Sequence, residues 1–271
     1  MKSYAIYDDD LDRTSPIGYL FYYEKVKSFI IELSEDLAVW DAPVLFQGLV
    51  RKGIFTISKE FSMMWVRERV IPSGRQNIGL ILKNHKMKEY SEIAFLTMND
   101  GRCIQDNCYI KEIGMEKIPD AINMRMRNNI SDCFMTEDNQ LLCMFKDNTV
   151  RKVDLKKLIN KNKAISYVLE NEELKQYIEI GVGGYSVVFN KMIDIMASDL
   201  RENGVSIPLT VKDFYNFVQR NIVDTPRAYE MLNCTRQNLA YMVNEGKLKP
   251  IVSGIKGNLY DKGNIEELRN N

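Results

Sequence analysis

Histidine is almost missing from this chain: His85 is the only one in 271 residues. Without a second imidazole, most zinc sites and Ser-His-Asp or Cys-His nucleophile systems are hard to build. His85 itself stands in the polar stretch Lys83-Asn84-His85-Lys86-Met87-Lys88, which reads as surface. The cysteines Cys103, Cys108, Cys133, Cys143 and Cys234 are odd in number, and no pair has the two-residue spacing of a zinc knuckle or redox motif. They read as reduced, mostly packed thiols. No apolar run approaches the roughly 20 residues that span a bilayer. The start, Met1 to Asp8, lacks the apolar core of a signal peptide. Net charge is missing too, since 37 basic residues cancel 37 acidic ones. That balance does not exclude nucleic acid, because phosphate is attracted by a local basic surface. The expectation is a soluble cytoplasmic protein of bacterial type, with no membrane, metal or cofactor and no catalysis.

What is present suits a globular protein. Hydrophobic residues make up 45% and charged residues 27%, which argues against global disorder. At roughly 100–200 residues per domain, the length allows two or three domains. The patterning suggests an α+β protein in three parts: an N-terminal mixed α/β domain over 1–118, a small hairpin-rich α+β domain over 119–205, and a helix-turn-helix with a short wing over 206–271. In the first, Ile17 to Tyr23 and Ser28 to Leu33 are rich in aromatic and β-branched residues and read as strands. Ser58 caps an expected helix carrying Phe61, Met64, Trp65 and Val66. Pro72-Ser73-Gly74 breaks it, Ile78 to Leu82 gives the next apolar face, and Ser91 to Met98 another short helix. In the second, Leu141 to Phe145 and Thr149 to Asp154 flank an Asp147-Asn148 turn, Asp154 caps a helix starting at Leu155, and a second hairpin joins Tyr177–Ile180 to Tyr185–Phe189 through Gly181, Gly183 and Gly184. Gly204 marks the end of that part, and the third begins near Pro208-Leu209-Thr210.

The functional signal lies between Asp224 and Tyr260. Thr225 is expected to cap a helix with Pro226 in its first turn and Ala228, Met231 and Leu232 on its buried stripe. Asn233-Cys234 makes a tight turn and Thr235 caps a second helix. Leu239, Met242 and Val243 form its core face, leaving Arg236, Gln237, Asn238 and Tyr241 pointing elsewhere; Gly246 ends it in a left-handed conformation. A recognition helix needs this arrangement, with donors and acceptors in a first turn whose dipole favours anions. Arginine suits guanine, and glutamine or asparagine suits adenine, as two-pronged partners. Residues 251–260 form a hairpin wing with Lys256 at its tip, and Ile265 and Leu268 pack a last helix back on the module. Between Thr225 and Lys262 the bases Arg227, Arg236, Lys247, Lys249, Lys256 and Lys262 outnumber the acids Glu230, Glu245 and Asp261 by three. The expected DNA contacts are Arg227, Thr235, Arg236, Gln237, Asn238, Tyr241, Lys247, Lys249 and Lys256.

Residues 225–268 resemble the excisionase and MerR-type helix-turn-helix family, through Ala228, the turn Leu232-Asn233-Cys234-Thr235-Arg236-Gln237, the helix end Glu245-Gly246-Lys247-Leu248, Pro250 and Leu259-Tyr260. That family usually has glycine where this chain has Asn233. The resemblance implies a DNA-contacting helix and wing. Residues 130–204 resemble a small bacterial family of unknown function often fused to helix-turn-helix domains, through Leu141, Phe145, Asp147, Val150, Arg151, Val153-Asp154-Leu155, Phe189, Asp194-Ile195, Asp199-Leu200 and Gly204. Asn148 and Phe189 replace that family's usual glycine and tryptophan. Residues 17–102 are similar to the N-terminal region of HipA-type toxin kinases, through Gly18-Tyr19-Leu20, Phe29, Pro43, Arg69-Val70-Ile71-Pro72, Arg75 and Gly101; no kinase core follows, so kinase activity is not implied.

Other signals carry less. Asp8-Asp9-Asp10-Leu11-Asp12 has Arg13 and Tyr19 where a calcium loop needs glycine and glutamate, and reads as a solvated acidic turn. Gly181-Val182-Gly183-Gly184 lacks the Gly-Lys-Ser/Thr end of a phosphate loop. Arg67, Glu68, Arg69 and Arg75 around Trp65 could bind an anion or a partner, though such charges more often form a solvated helix face. The leading functional expectation is a sequence-specific DNA-binding protein, a transcriptional regulator of a bacterium or mobile element. The alternative is a protein-interaction factor (an antitoxin, immunity or anti-defence protein) whose helix-turn-helix does not bind DNA. Expected partners are double-stranded DNA, a second copy in a homodimer, and a protein held by the N-terminal domain.

Overall fold

Runs that read as continuously apolar become strands covered on both faces. In the computed structural model, which describes residues 1–136, 138–208, 211–255 and 257–270, and only the backbone of 211, 212, 214, 254 and 255, such runs build the first sheet. Its strands are β1 (Lys2–Asp8), β2 (Gly18–Tyr23) and β3 (Ser28–Leu33), followed by α1 (Val44–Val50), β4 (Thr56–Ile57), α2 (Lys59–Arg67), α3 (Ile78–Asn84), α4 (Glu92–Met98) and β5 (Cys108–Ile113). The order is β4-β3-β2-β1-β5, antiparallel throughout. Every residue of β2 and β3 is buried. Tyr4, Ile6, Leu20, Phe29 and Ile31 pack with Phe46, Trp65, Val66, Phe95 and Leu96 of the helices in one core.

The helix starts follow their caps: Ser58 accepts from the Phe61 amide and Ser91 from the Ala94 amide. Two expectations are corrected here. Phe61 and Met64 are 38% and 47% exposed, because Ser62, Trp65 and Val66 form the inward stripe of α2. Arg69 is not on a solvated face. Its guanidinium lies 3.6 Å over the Trp65 ring, donates to the Trp65 carbonyl oxygen and pairs with Asp106. A distant carboxylate and an aromatic face replace the water it gives up.

Chain contacts divide at Ile122/Asn123, within α5 (Asp120–Arg127). The second unit opens with β6 (Ile130–Met135), β7 (Gln140–Phe145) and β8 (Val150–Asp154), the last two joined as expected through Asn148 at φ 64°. Asp154 caps a short 3-10 turn, Leu155–Leu158. Then come α6 (Ile165–Glu170), α7 (Glu172–Gln176), β9 (Ile178–Ile180), β10 (Ser186–Phe189), β11 (Ile193–Met196), α8 (Ala197–Asn203) and β12 (Val205–Ser206). The sheets β12-β8-β7-β6 and β11-β10-β9 share one core of Ile130, Leu141, Phe145, Val153, Val187 and Phe189. The glycine cluster connects β9 to β10. A Cβ on Gly184, at φ 77°, would stand 2.2 Å from the Ile130 carbonyl oxygen, so glycine is demanded by close packing on β6.

The chain ends with α9 (Val211–Asn221), β13 (Ile222–Asp224), α10 (Thr225–Met231), α11 (Arg236–Asn244), β14 (Val252–Ile255), β15 (Gly257–Asp261) and α12 (Lys262–Asn270). Leu209 and Thr210, at the expected start of this part, lie outside the described residues. A separate small core holds Ala228, Leu239, Leu248, Tyr260 and Ile265. The protein is thus α+β with several antiparallel sheets. Among the described residues, no helix is long and apolar enough to cross a membrane.

Candidate nucleic-acid interface

The helix pair at the C-terminus is held by short-range chemistry. Asp224, not Thr225, caps α10: its carboxylate accepts from the Arg227 amide at 3.0 Å. A carboxylate is the stronger acceptor at a positive helix end, which displaces Thr225 one place inward. The Thr225 hydroxyl instead accepts from the Asn258 amide at 3.2 Å and donates to the Asn258 carbonyl oxygen at 3.4 Å. It thereby ties the start of α10 to β15. Pro226 falls in the first turn, where a missing N–H is harmless.

The chain then reverses at Asn233, whose φ is 50°. Asparagine adopts this left-handed region more readily than most residues, which fits its place in the turn. The Asn233 and Cys234 amides donate back to the Glu230 and Tyr229 carbonyls at 3.0 Å each. Burial pushes the Cys234 thiol up, so it packs as a neutral group. Thr235 caps α11, accepting from the Asn238 amide at 3.2 Å. Gly246, at φ 70°, ends the helix; the Lys247 and Leu248 amides return to the Met242 carbonyl oxygen, and Leu248 is buried as the anchor.

Leu239 faces the core, with Met242 and Val243 partly buried beside it. Arg236, Gln237, Asn238 and Tyr241 are all exposed. At 100° per residue Gln237 and Tyr241 stand opposite the buried stripe, Asn238 lies to one side of them, and Arg236 falls at the edge of the stripe beside Val243. Ala240 and Asn244 share this exposed side. They carried no motif; only the spacing 237, 240, 241, 244 could have found them. Arg236, Ala240 and Asn244 also line a cleft toward the strand pair, with Thr225 and Asn258 on its far wall.

The cations differ in freedom. Arg227 is exposed but pairs with Glu230 at 3.4 Å on its own helix, which offsets part of its charge. The Lys247 ammonium lies 5.0 Å from the Tyr241 ring centre, so these two form one cationic and aromatic surface. Lys249 is exposed just beyond the helix. Lys256 lies outside the described residues, between Ile255 and Gly257, which pair across β14 and β15. With β13 these strands form a sheet of order β13-β15-β14.

Elsewhere, His85 is exposed. All five cysteines are free, three of them buried. Among the described residues, no group of three or more His, Cys, Asp or Glu side chains could hold a metal. Asp9 and Asp10 are exposed, paired with Arg102 and Asn107 respectively. No family model, curated protein or solved structure matches the chain.

Proposed function

We propose that residues 206–271 form a helix-turn-helix module that binds double-stranded DNA, with α11 as the recognition helix and β14–β15 as the wing. The observation that carries this reading is the first turn of α11. It presents Arg236, Gln237 and Asn238 to solvent from a capped helix start, backed by a small core and followed by Lys247 and Lys249. Side chains at a helix start reach base edges in a major groove, while lysines past its end meet phosphates. The role is that of a sequence-specific regulator, cytoplasmic and non-enzymatic, with no cofactor. Stoichiometric zinc in the purified protein would overturn that last part.

A random-duplex selection with the full chain tests the reading. The expected result is enrichment of one sequence family, with the preference blurred at one base step in the variant Arg236→Ala. A second reading has its own support: Tyr241, Ile251 and Val252 are 53%, 51% and 40% exposed, an apolar set suited to a protein partner. Absence of any enrichment would transfer the module to that role, with the first unit or a second copy of the chain as further contact surfaces.

A further inference from the structure

Behind the exposed side of the C-terminal helices lies a buried polar junction. The strand β6 is irregular at Ser131: Ile130 pairs with Phe145 of β7, yet Asp132 already pairs with Met144. Such a bulge redirects the side chains that follow it. The helix α12 begins on it, and a Cβ at Gly263 would stand 2.3 Å from the Ser131 carbonyl oxygen. Asp132 is 4% exposed. Its Oδ1 accepts from the Cys133 amide at 2.7 Å and from the side-chain amide of Asn221, the last residue of α9. Its Oδ2 is buried with no hydrogen-bond donor among the described residues, and Asp261 stands beside it: one Cβ at Gly263 would meet Asp261 Oδ1 at 3.1 Å and Asp132 Cβ at 3.2 Å. Asp261 in turn caps α12, its Oδ1 accepting from the amides of Gly263 at 2.6 Å and Asn264 at 3.4 Å.

Two neighbouring carboxyl groups, one of them out of water, cannot both be ionised without a cation. The charged groups around them are engaged elsewhere. On α12, Lys262 donates to the Ile178 carbonyl oxygen at 3.3 Å and pairs with Glu266 at 3.5 Å. Glu266 also accepts from the Ile180 amide at 3.1 Å. On α9, Arg220 donates to the Met135 carbonyl oxygen at 2.7 Å. From β7 comes Met144 opposite Asp132, and the thiols of Cys143 and of Cys133 on β6 are held neutral by burial.

We propose that Asp132 keeps a proton on its buried Oδ2 and donates it toward the neighbouring Asp261 carboxylate, and that this proton is a pH-sensitive clasp fastening α9 and α12 to β6. The clasp stands on the junction alone and does not depend on DNA binding. Burial first, and the Asp261 charge second, push the Asp132 carboxyl well above its ordinary range, against the pull of Asn221 and the Cys133 amide. The folded state then holds a proton that the unfolded chain has already released. Stability from this pair is full below the ordinary carboxyl range and is lost as pH rises through the raised value. Glu266, pushed up by burial, acts in the same direction.

Hydrogen exchange of the full chain at pH 5.5 and 8.5, normalised to intrinsic rates, tests the clasp. Amides of 221–224 and 262–270 are expected to lose about tenfold or more in protection at the higher pH, while those of 140–145 hold. Asp132→Asn keeps the acceptor for Asn221 and supplies a permanent donor to Asp261, so it should remove most of the difference and keep high protection at pH 8.5. Asp261→Asn, which retains an oxygen to cap α12 but leaves Asp132 buried, should shrink the difference by less, and Glu266→Gln should leave most of it. Equal protection of the wild type at both pH values would overturn the proposal. So would a pH difference that survives Asp132→Asn at full size, or one that disappears in Glu266→Gln alone.

Discussion

Asp147 shows how a single side chain can carry a pH dependence opposite to that of Asp132. Burial alone would raise its carboxyl, but hydrogen bonds from Arg201 and Thr149 and the Arg201 charge outweigh it and hold it at about 2. Arg201 also stacks 5.0 Å from the Phe145 ring, so one guanidinium joins α8 to the β7–β8 turn. Both partners are about a quarter exposed, so solvent discounts the pair. Arg201→Met should cost roughly 1–2 kcal/mol at pH 7. That penalty should shrink as pH falls from 4 through 2, because the depressed carboxyl contributes only while ionised. Denaturant titrations of both proteins across this range give the check; a pH-independent difference would reduce the role of Arg201 to packing. Residues of this kind divide into readable and unreadable. Asn148 and Asn233 were legible as positive-φ positions because their conformations are local. Arg69 and Asp132 were not, since the partners that bury them, Asp106 and Asp261, lie 37 and 129 positions away (261 − 132).

Among the elements, local signals located most helix and hairpin starts and left β1 and β5 unseen. Those two strands pair across a hundred residues, Tyr7 against Tyr109, and nothing short-range in either announces the other. The caps were legible to within one residue. Thr225 and Asp224 compete for one position; the stronger acceptor takes it, and the threonine hydroxyl is engaged by Asn258 from a strand 33 residues later. Two substitutions test this level. Asn233→Gly should change stability by only about 0.5 kcal/mol, because glycine takes the left-handed conformation freely. Asn233→Val should cost about 1–2 kcal/mol. Equal melting of the two variants would show that the turn is not strained at this position. Gly263→Ala brings a methyl onto the Ser131 carbonyl oxygen and should cost about 1–3 kcal/mol. Its effect should appear first as increased exchange in α12; an unchanged α12 would mean that the contact relaxes without cost.

At the scale of the whole molecule, the sequence pattern suggested three parts, and chain contacts divide the described residues into two units, Met1–Ile122 and Asn123–Asn271. Texture alone could not register how much the helices after Pro208 share with β6 and β9. Those contacts run through Asn221, Arg220, Lys262 and Glu266, polar residues that look like surface in any local window. A fragment spanning 123–271 should therefore melt cooperatively, and one spanning 206–271 should melt lower, having lost these partners. Equal melting temperatures would make the module independent of the strands that precede it. The exposed side of α11 was legible because helical periodicity is local, and its Arg-Gln-Asn start could be named from residue chemistry. The central claim is that this surface reads DNA. The most direct measurement is the salt dependence of binding to the duplex enriched by selection, for the wild type, Arg236→Ala and Lys249→Ala. The account predicts that Arg236→Ala loses about 1–3 kcal/mol on that duplex and blurs one base step. Lys249→Ala should weaken all duplexes alike and lower the slope of log affinity against log salt by about one. Binding that is unchanged in both variants, or absent at low salt in the wild type, would contradict it.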